Sequence, residues 1–314
     1  MANPQVYIGV DVSKETMDIF NPVQNRFSTI RNTRIAARGF IRKVRAKDPN
    51  AMFCCESTGG YERTLMDACC EEGQPFCIMN AQQVRCYAGH LGLLEKTDKI
   101  DAKVISMAAN DKKPASFVHP TPSHRKLREL WKLRRSLTTT RDAVRNQLEH
   151  VKEKESITTI KKLILSFEKE IKKIEEVCQE IISEDEKDVA LLERLQKVKG
   201  IGELTCIGII ALLPELYTLD DKKLTKLAGL APICEDSGTL NAPRHIKKGR
   251  PLVRHILYWA ALSASRHNQK LSEFYDRLVR AGKPKKVALV AVMRKLLCLL
   301  RRIAQNPEFK PLET

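Results

Sequence analysis

Four carboxylates in the first third of the chain are spaced as a two-metal phosphodiester site would need them. Asp11 ends the apolar run Val6-Tyr7-Ile8-Gly9-Val10, and Glu56 ends a second run, Ala51-Met52-Phe53-Cys54-Cys55. Asp98 and Asp101 lie three residues apart in Lys96-Thr97-Asp98-Lys99-Ile100-Asp101-Ala102, on one face of a helix. Two acids at strand ends and two on a helix can converge at the carboxyl edge of a sheet. An oxygen-only donor set suits a hard cation such as Mg²⁺. A pair of such ions can clamp the attacking and leaving oxygens of a phosphoryl transfer. Any one acid alone is more often a solvated surface group, and Asp98 also reads as a helix N-cap after Thr97. The four together, in a strongly basic chain, favour the metal reading.

A second reactive group stands late in the chain. Cys234-Glu235-Asp236-Ser237-Gly238-Thr239 is a polar, glycine-containing break between helical stretches, and behind it come Arg244, Lys247, Lys248, Arg250 and Arg254. A serine hydroxyl is a poor nucleophile at its free pKa. Neighbouring guanidinium groups would hold a scissile phosphate and stabilise the charge that develops on its oxygens. From spacing alone the plainer reading is preferred, in which Ser237-Gly238 is a turn and the cations contact nucleic acid.

The elements that must position these groups follow from pattern. Residues 6–12, 17–20 and 26–30 read as three strands, followed by a helix over 33–46, a strand over 51–56 and a helix over 61–72. A strand over 75–79 and helices over 81–90 and 98–110 complete an α/β domain whose order matches the ribonuclease-H-like fold. Pro114, Pro120 and Pro122 punctuate its exit. Two long helical patterns follow. Leu130, Leu133, Leu137, Val144, Leu148 and Val151 mark the first; Ile160, Ile164, Phe167, Ile171, Ile174, Cys178 and Ile181 form a heptad seam in the second. That seam suits an intramolecular helical hairpin and a coiled-coil dimer equally. From Leu195 onward, Gly200-Ile201-Gly202 has helix–hairpin–helix spacing, in which a helix N-terminus would face a DNA phosphate. The expected class is α/β plus all-α, with domains over 1–120, 121–190 and 191–314.

The chain has 314 residues and a net charge of +17, which points to a polyanionic partner. Residues 241–314 hold 17 Lys/Arg against 4 Asp/Glu, so the C-terminal quarter should make the strongest phosphate contacts. No apolar run is long enough for a membrane span, and the first residues lack a signal-peptide pattern, so a cytoplasmic protein without membrane contact is expected. The ten cysteines show no C-x₂-C spacing, and most read as small buried hydrophobes rather than zinc ligands or disulfides.

Gly9-Val10-Asp11, Glu56-Ser57-Thr58-Gly59-Gly60-Tyr61, Thr97-Asp98-Lys99-Ile100-Asp101, Gly200-Ile201-Gly202, Leu227-Ala228-Gly229-Leu230-Ala231-Pro232, Asp236-Ser237-Gly238 and Gly249-Arg250 recur in tandem along nearly the whole chain. In these the chain resembles bacterial insertion-sequence transposases that join a RuvC-like DEDD domain to a C-terminal serine-bearing transposase domain. That family comprises the bridge-RNA-guided recombinases, with Piv-type invertases as relatives. It often has Asn-Pro at Asn80-Ala81 and at Asn268-Gln269, and Gly-Gly-Arg at Lys248-Gly249-Arg250; none of these departures removes a reactive group. The resemblance implies that Asp11, Glu56, Asp98 and Asp101 bind Mg²⁺ and that Ser237 forms a covalent phosphoserine link to DNA. It further implies donor and target DNA and a structured noncoding guide RNA as partners. Self-association as a dimer or tetramer is expected too, with the quartet and the serine drawn from different protomers. A guide-independent invertase, a RuvC-like junction nuclease with Ser237 idle, and a non-catalytic DNA-binding protein are the competing expectations.

Overall fold

The computed structural model describes residues 6–93, 98–117, 120–233 and 245–309, the side chains of Asp98, Lys99 and Ile233 excepted. The chain divides into two compact units, residues 1–119 and 120–314.

In the first unit, β1 (Tyr7–Val12), β2 (Thr16–Asn21) and β3 (Arg26–Arg31) form an antiparallel meander. The helix α1 (Arg34–Arg45) follows, capped by the Thr33 side chain, which accepts from the Ala36 N–H. Then come β4 (Met52–Glu56), α2 (Arg63–Glu71), β5 (Phe76–Met79), α3 (Ala81–His90) and α4 (Asp98–Lys112). The sheet order is β3-β2-β1-β4-β5, with β4 and β5 parallel to β1. The central strands β1 and β4 are nearly continuous apolar runs because both faces of the sheet are covered. One face, with Ile8, Val10, Phe53 and Cys55, packs on Ile41 of α1 and Leu65 of α2. The other, with Tyr7, Met52, Cys54 and Cys77, packs on Val84 of α3 and Val104, Ile105 and Ala108 of α4. The strands and helices fall where hydrophobic periodicity places them.

The second unit is almost wholly helical. Its helices are α5 (Pro122–Gln147), α6 (Lys154–Ser183), α7 (Glu186–Gln196), α8 (Glu203–Leu212) and α9 (Asp221–Leu227). Two short strands, β6 (Pro232–Ile233) and β7 (His245–Ile246), precede α10 (Pro251–His267), α11 (Gln269–Arg280) and α12 (Lys285–Gln305). α5 and α6 run antiparallel, cross-linked by Arg134–Glu175 at 2.5 Å and Arg145–Glu168 at 2.7 Å. Ile164, Ile171, Ile174, Cys178 and Ile181 of the heptad seam are buried within this same chain, so the hairpin is the arrangement observed. Leu133, by contrast, is exposed. Leu127, Trp131, Ile174 and Ile181 share one apolar core with Leu191, Leu257 and Leu296, so the helices over 121–190 and those beyond 191 form one packed body. Among the described residues no helix is long and apolar enough to cross a membrane.

Candidate active site

The acidic edge is built by one close contact. A Cβ added to Gly9 would lie 1.9 Å from the Ala102 carbonyl oxygen and 2.6 Å from the Ser106 N, so α4 rests directly on the β1 backbone. The buried Ser106 hydroxyl donates to the Tyr7 carbonyl at 2.6 Å. Going from residue 102 to 106 on α4 thus means going from 9 to 7 on β1. The helix runs against the strand, and its N-terminal turn overhangs the carboxyl end of β1. Asp101 immediately precedes the residue above Gly9, and Asp98 starts the helix. Asp11 follows Gly9 by two, which turns it to the same face. β1 pairs with β4 in the register Gly9↔Cys54 and Val10↔Cys55, so Glu56 stands at the next step, beside Asp11. By backbone register Asp11 and Glu56 are neighbours at one end of the sheet, and the first turn of α4, with Asp98 and Asp101, starts at the same end. The Asp98 side chain lies outside the described residues.

Among the described side chains, no group of three or more His, Cys, Asp or Glu lies close enough to hold a metal ion. The carboxylates at this edge are hard donors that fit a divalent cation of the Mg²⁺ class.

The surroundings of the edge are tied down by hydrogen bonds. Behind Glu56, the Glu62 carboxylate accepts from the Thr58 hydroxyl at 2.8 Å, the Gly60 N–H at 2.8 Å and the Thr58 N–H at 3.3 Å. Burial pushes this carboxyl up, but the hydrogen bonds outweigh it and hold it below the ordinary glutamate range. Gly59 and Gly60, at φ of 78° and 127°, make the turn that Glu62 closes. The Asn32 amide donates to the Ser13 carbonyl at 2.7 Å and the Tyr61 carbonyl at 3.3 Å, joining the β1–β2 turn to the same loop. Asp18 sits directly opposite Asp11 across β1 and β2, and accepts from the Thr29 hydroxyl at 2.5 Å. Neither Asp18 nor Glu62 stands out in the sequence; only strand register and loop geometry reveal them.

The cysteines of the sheet take no part in this chemistry. A hydrogen bond with Cys77 and burial push the Cys54 thiol far up, and burial does the same for Cys55 and Cys69.

In the helical unit, residues 197–202 connect α7 to α8. Gly200 adopts φ of 88°, and a Cβ there would lie 2.6 Å from the Ala264 Cα of α10. Gly202 caps α8 without a side-chain hydrogen bond, which leaves that N-terminus exposed. Glu203 in its first turn places a negative charge where a phosphate would approach, and accepts from Gln179 at 3.1 Å.

The predicted basic residues have different fates. Ser237 and Arg244 lie outside the described residues. The described residues on either side are paired, Pro232↔Ile246 and Ile233↔His245, between β6 and β7. Lys248 is exposed in a left-handed turn at φ of 62°. Arg250, expected to bind nucleic acid, instead grips Glu215 with two bonds of 2.7 and 2.5 Å and donates to the Leu212 carbonyl at 3.1 Å. Its guanidinium is committed to the fold. Arg254 donates one N–H to the Lys248 carbonyl at 2.7 Å, which fixes the turn beside it.

Residues 8–152 match a family profile of the IS110 DEDD group described as "Transposase", and residues 192–276 match "Transposase IS116/IS110/IS902 family". The chain is similar to the "Pilin gene-inverting protein" of Moraxella lacunata, at 25% identity over 97% of this chain and 98% of the relative. The protein of the same description from Moraxella bovis is 24% identical with the same coverage. Among solved structures, "T. thermophilus RuvC in complex with Holliday junction substrate" aligns over 36% of this chain and 98% of its own, at 13% identity and a TM-score of 0.28.

Proposed function

The chain belongs to the IS110-type transposase family, with a RuvC-like DEDD domain at its head, and we propose that it breaks and rejoins DNA strands through a phosphoserine link. One observation carries most weight: the crossing of α4 over Gly9, which gathers Asp11, Glu56 and the start of α4 at one sheet edge. Asp11, Glu56, Asp98 and Asp101 would hold Mg²⁺. Bound there, the cation would supply positive charge to the phosphoryl oxygens. The carboxylates' own part would be to hold the cation at the sheet edge, since by themselves they would repel a phosphate. Ser237 Oγ attacks phosphorus; the Oγ–P bond forms as a sugar O–P bond breaks, and the serine proton ends on the released sugar hydroxyl or solvent. Religation reverses these bonds with a different sugar hydroxyl. Lys247, Lys248, Arg244 and Arg254 would hold the phosphate backbone, and the Gly200–Gly202 hairpin would contact it through the N-terminus of α8.

A structured noncoding RNA pairing with donor and target DNA would supply sequence choice, leaving the protein to read backbone and shape. The serine and the quartet would come from different protomers of a cytoplasmic dimer or tetramer. The test mixes Ser237→Ala with Asp11→Asn. Each variant alone should yield no recombinant and the mixture should recover some. A covalent DNA adduct that persists in Ser237→Ala removes the nucleophile assignment. Failure to complement, with hetero-oligomers confirmed, removes the shared site.

A guide-independent inversion is the second reading, supported by likeness to pilin gene-inverting proteins over 97% of the chain. Recombination that survives complete removal of RNA selects it.

A further inference from the structure

The outer face of α10 carries three clustered rings. Trp259 is 56% exposed and Tyr258 37%, far more than their size predicts for packed aromatics. Tyr258 and Trp259 meet edge-on with centroids 5.6 Å apart, and His255 and Trp259 do so at 6.2 Å. The Trp259 indole N–H donates to His255 Nε2 at 3.1 Å. That bond fixes the ring and needs the neutral imidazole; burial, then Arg135 of α5, lowers the His255 pKa and keeps it neutral. The indole is thus held in place while more than half of it stays open to solvent.

The stretch of sequence that carries these rings is one-signed. Between Ser237 and Ser272 the sequence holds seven Lys/Arg and no Asp/Glu. Arg254 lies on the turn of α10 before Tyr258, and Arg266 lies two turns beyond Trp259. Anchored, exposed aromatic faces amid cations have a specific use: a polyanion whose bases are unpaired can stack on them while its phosphates meet the cations. A duplex cannot, because its bases already stack on one another. A protein partner would gain nothing from so uniform a positive field unless it were acidic.

We infer that Tyr258 and Trp259 form a stacking platform for unpaired bases of a DNA strand undergoing exchange. The inference rests on the proposed strand exchange for its choice of DNA. Trp259 lies nine residues beyond Arg250, roughly 13 Å along α10, so a strand laid along the helix would meet both its cations and its rings.

The two tryptophans make the test direct, because Trp131 is 5% exposed and Trp259 is the exposed one. The full-length protein is titrated with a 12-residue oligo(dT), the matching duplex and oligo(rU), reading indole emission and the anisotropy of a labelled strand. Oligo(dT) should quench emission, the duplex should not, and Trp259→Phe should lose most of the quench. Trp259→Ala should weaken oligo(dT) binding roughly 5- to 150-fold with an unchanged salt slope, and Trp259→Phe should bind within a few-fold of wild type. Binding unchanged in Trp259→Ala, with no quench by oligo(dT), overturns the platform. Quenching by oligo(rU) alone overturns the choice of DNA. A shift of Trp259→Ala toward lower mass in sedimentation, with no quench in wild type, makes the patch a self-association surface instead. Ser237→Ala should show the wild-type quench, so the platform and the nucleophile fail independently.

Discussion

The acidic edge and the basic segment are positioned by opposite means. Asp11, Glu56 and Asp101 sit on regular elements whose backbones are locked, two by the register of parallel strands and one by a helix seated on a glycine. The described cations behind the serine sit in turns and at a helix start, and some of them hold those turns together: Arg250 on Glu215 and Leu212, Arg254 on the Lys248 carbonyl. Backbone registry can place an acid on a regular element. A turn has no such registry, and the chain spends guanidinium groups on making one.

The largest effect expected is on the acidic edge. Asp11→Asn and Glu56→Gln should each lower recombination by roughly a thousandfold or more, since several kcal/mol of charge stabilisation are removed. Melting temperature should barely move. Recombination near the wild-type level in either variant would break the contrast at its root.

Gly9→Ala removes no acid, yet its methyl would meet the Ala102 carbonyl oxygen at 1.9 Å. The helix must lift, at a cost of about 1–3 kcal/mol, and carry Asp101 away from Asp11. Activity should fall with stability in this variant. If thermal melting and recombination are both untouched, α4 does not position the site.

In the basic segment the residues should separate into two kinds. Arg250→Ala should destabilise the helical unit by about 1–3 kcal/mol through the lost two-pronged pair, leaving the salt slope of DNA binding intact. Lys248→Glu should do the reverse, with a shallower slope and unchanged melting. Loss of binding without loss of stability in Arg250→Ala would return that residue to the nucleic-acid surface.

The smallest effect is a difference in sign with pH. Glu62 has its pKa lowered in the fold, so its contribution is present above pH of about 4.3 and fades as pH falls through the folded value. His124 donates from Nε2 to buried Asp188 at 3.0 Å, and that hydrogen bond, opposed by burial, raises its pKa. Its contribution is full below pH of about 6.5 and is lost as pH rises through the folded value. Hydrogen exchange of the two units against pH should show the loop after Glu56 loosening on acidification and the α5–α7 contact loosening on alkalinisation. Glu62→Gln and His124→Gln should each flatten their own trend, and identical trends in wild type would remove the distinction.

Much of this protein is readable without coordinates. Apolar runs ending in Asp11 and Glu56 declare buried parallel strands, because only a strand covered on both faces is apolar throughout. The 3–4 spacing of Ile164 to Ile181 declares a helix with one sticky seam, and the excess of cations after residue 241 declares the polyanionic partner. These are local or summed properties, fixed by period and composition. Period cannot say what covers a seam, and α6 finds α5 of its own chain. Composition cannot say which arginine is free, and Arg250 is held by Glu215, 35 residues earlier in the chain. Asp18 beside Asp11 and Glu62 beneath the glycine turn are placed by register and loop closure. Those quantities arise only when distant backbones pack, so the tertiary structure alone decided them.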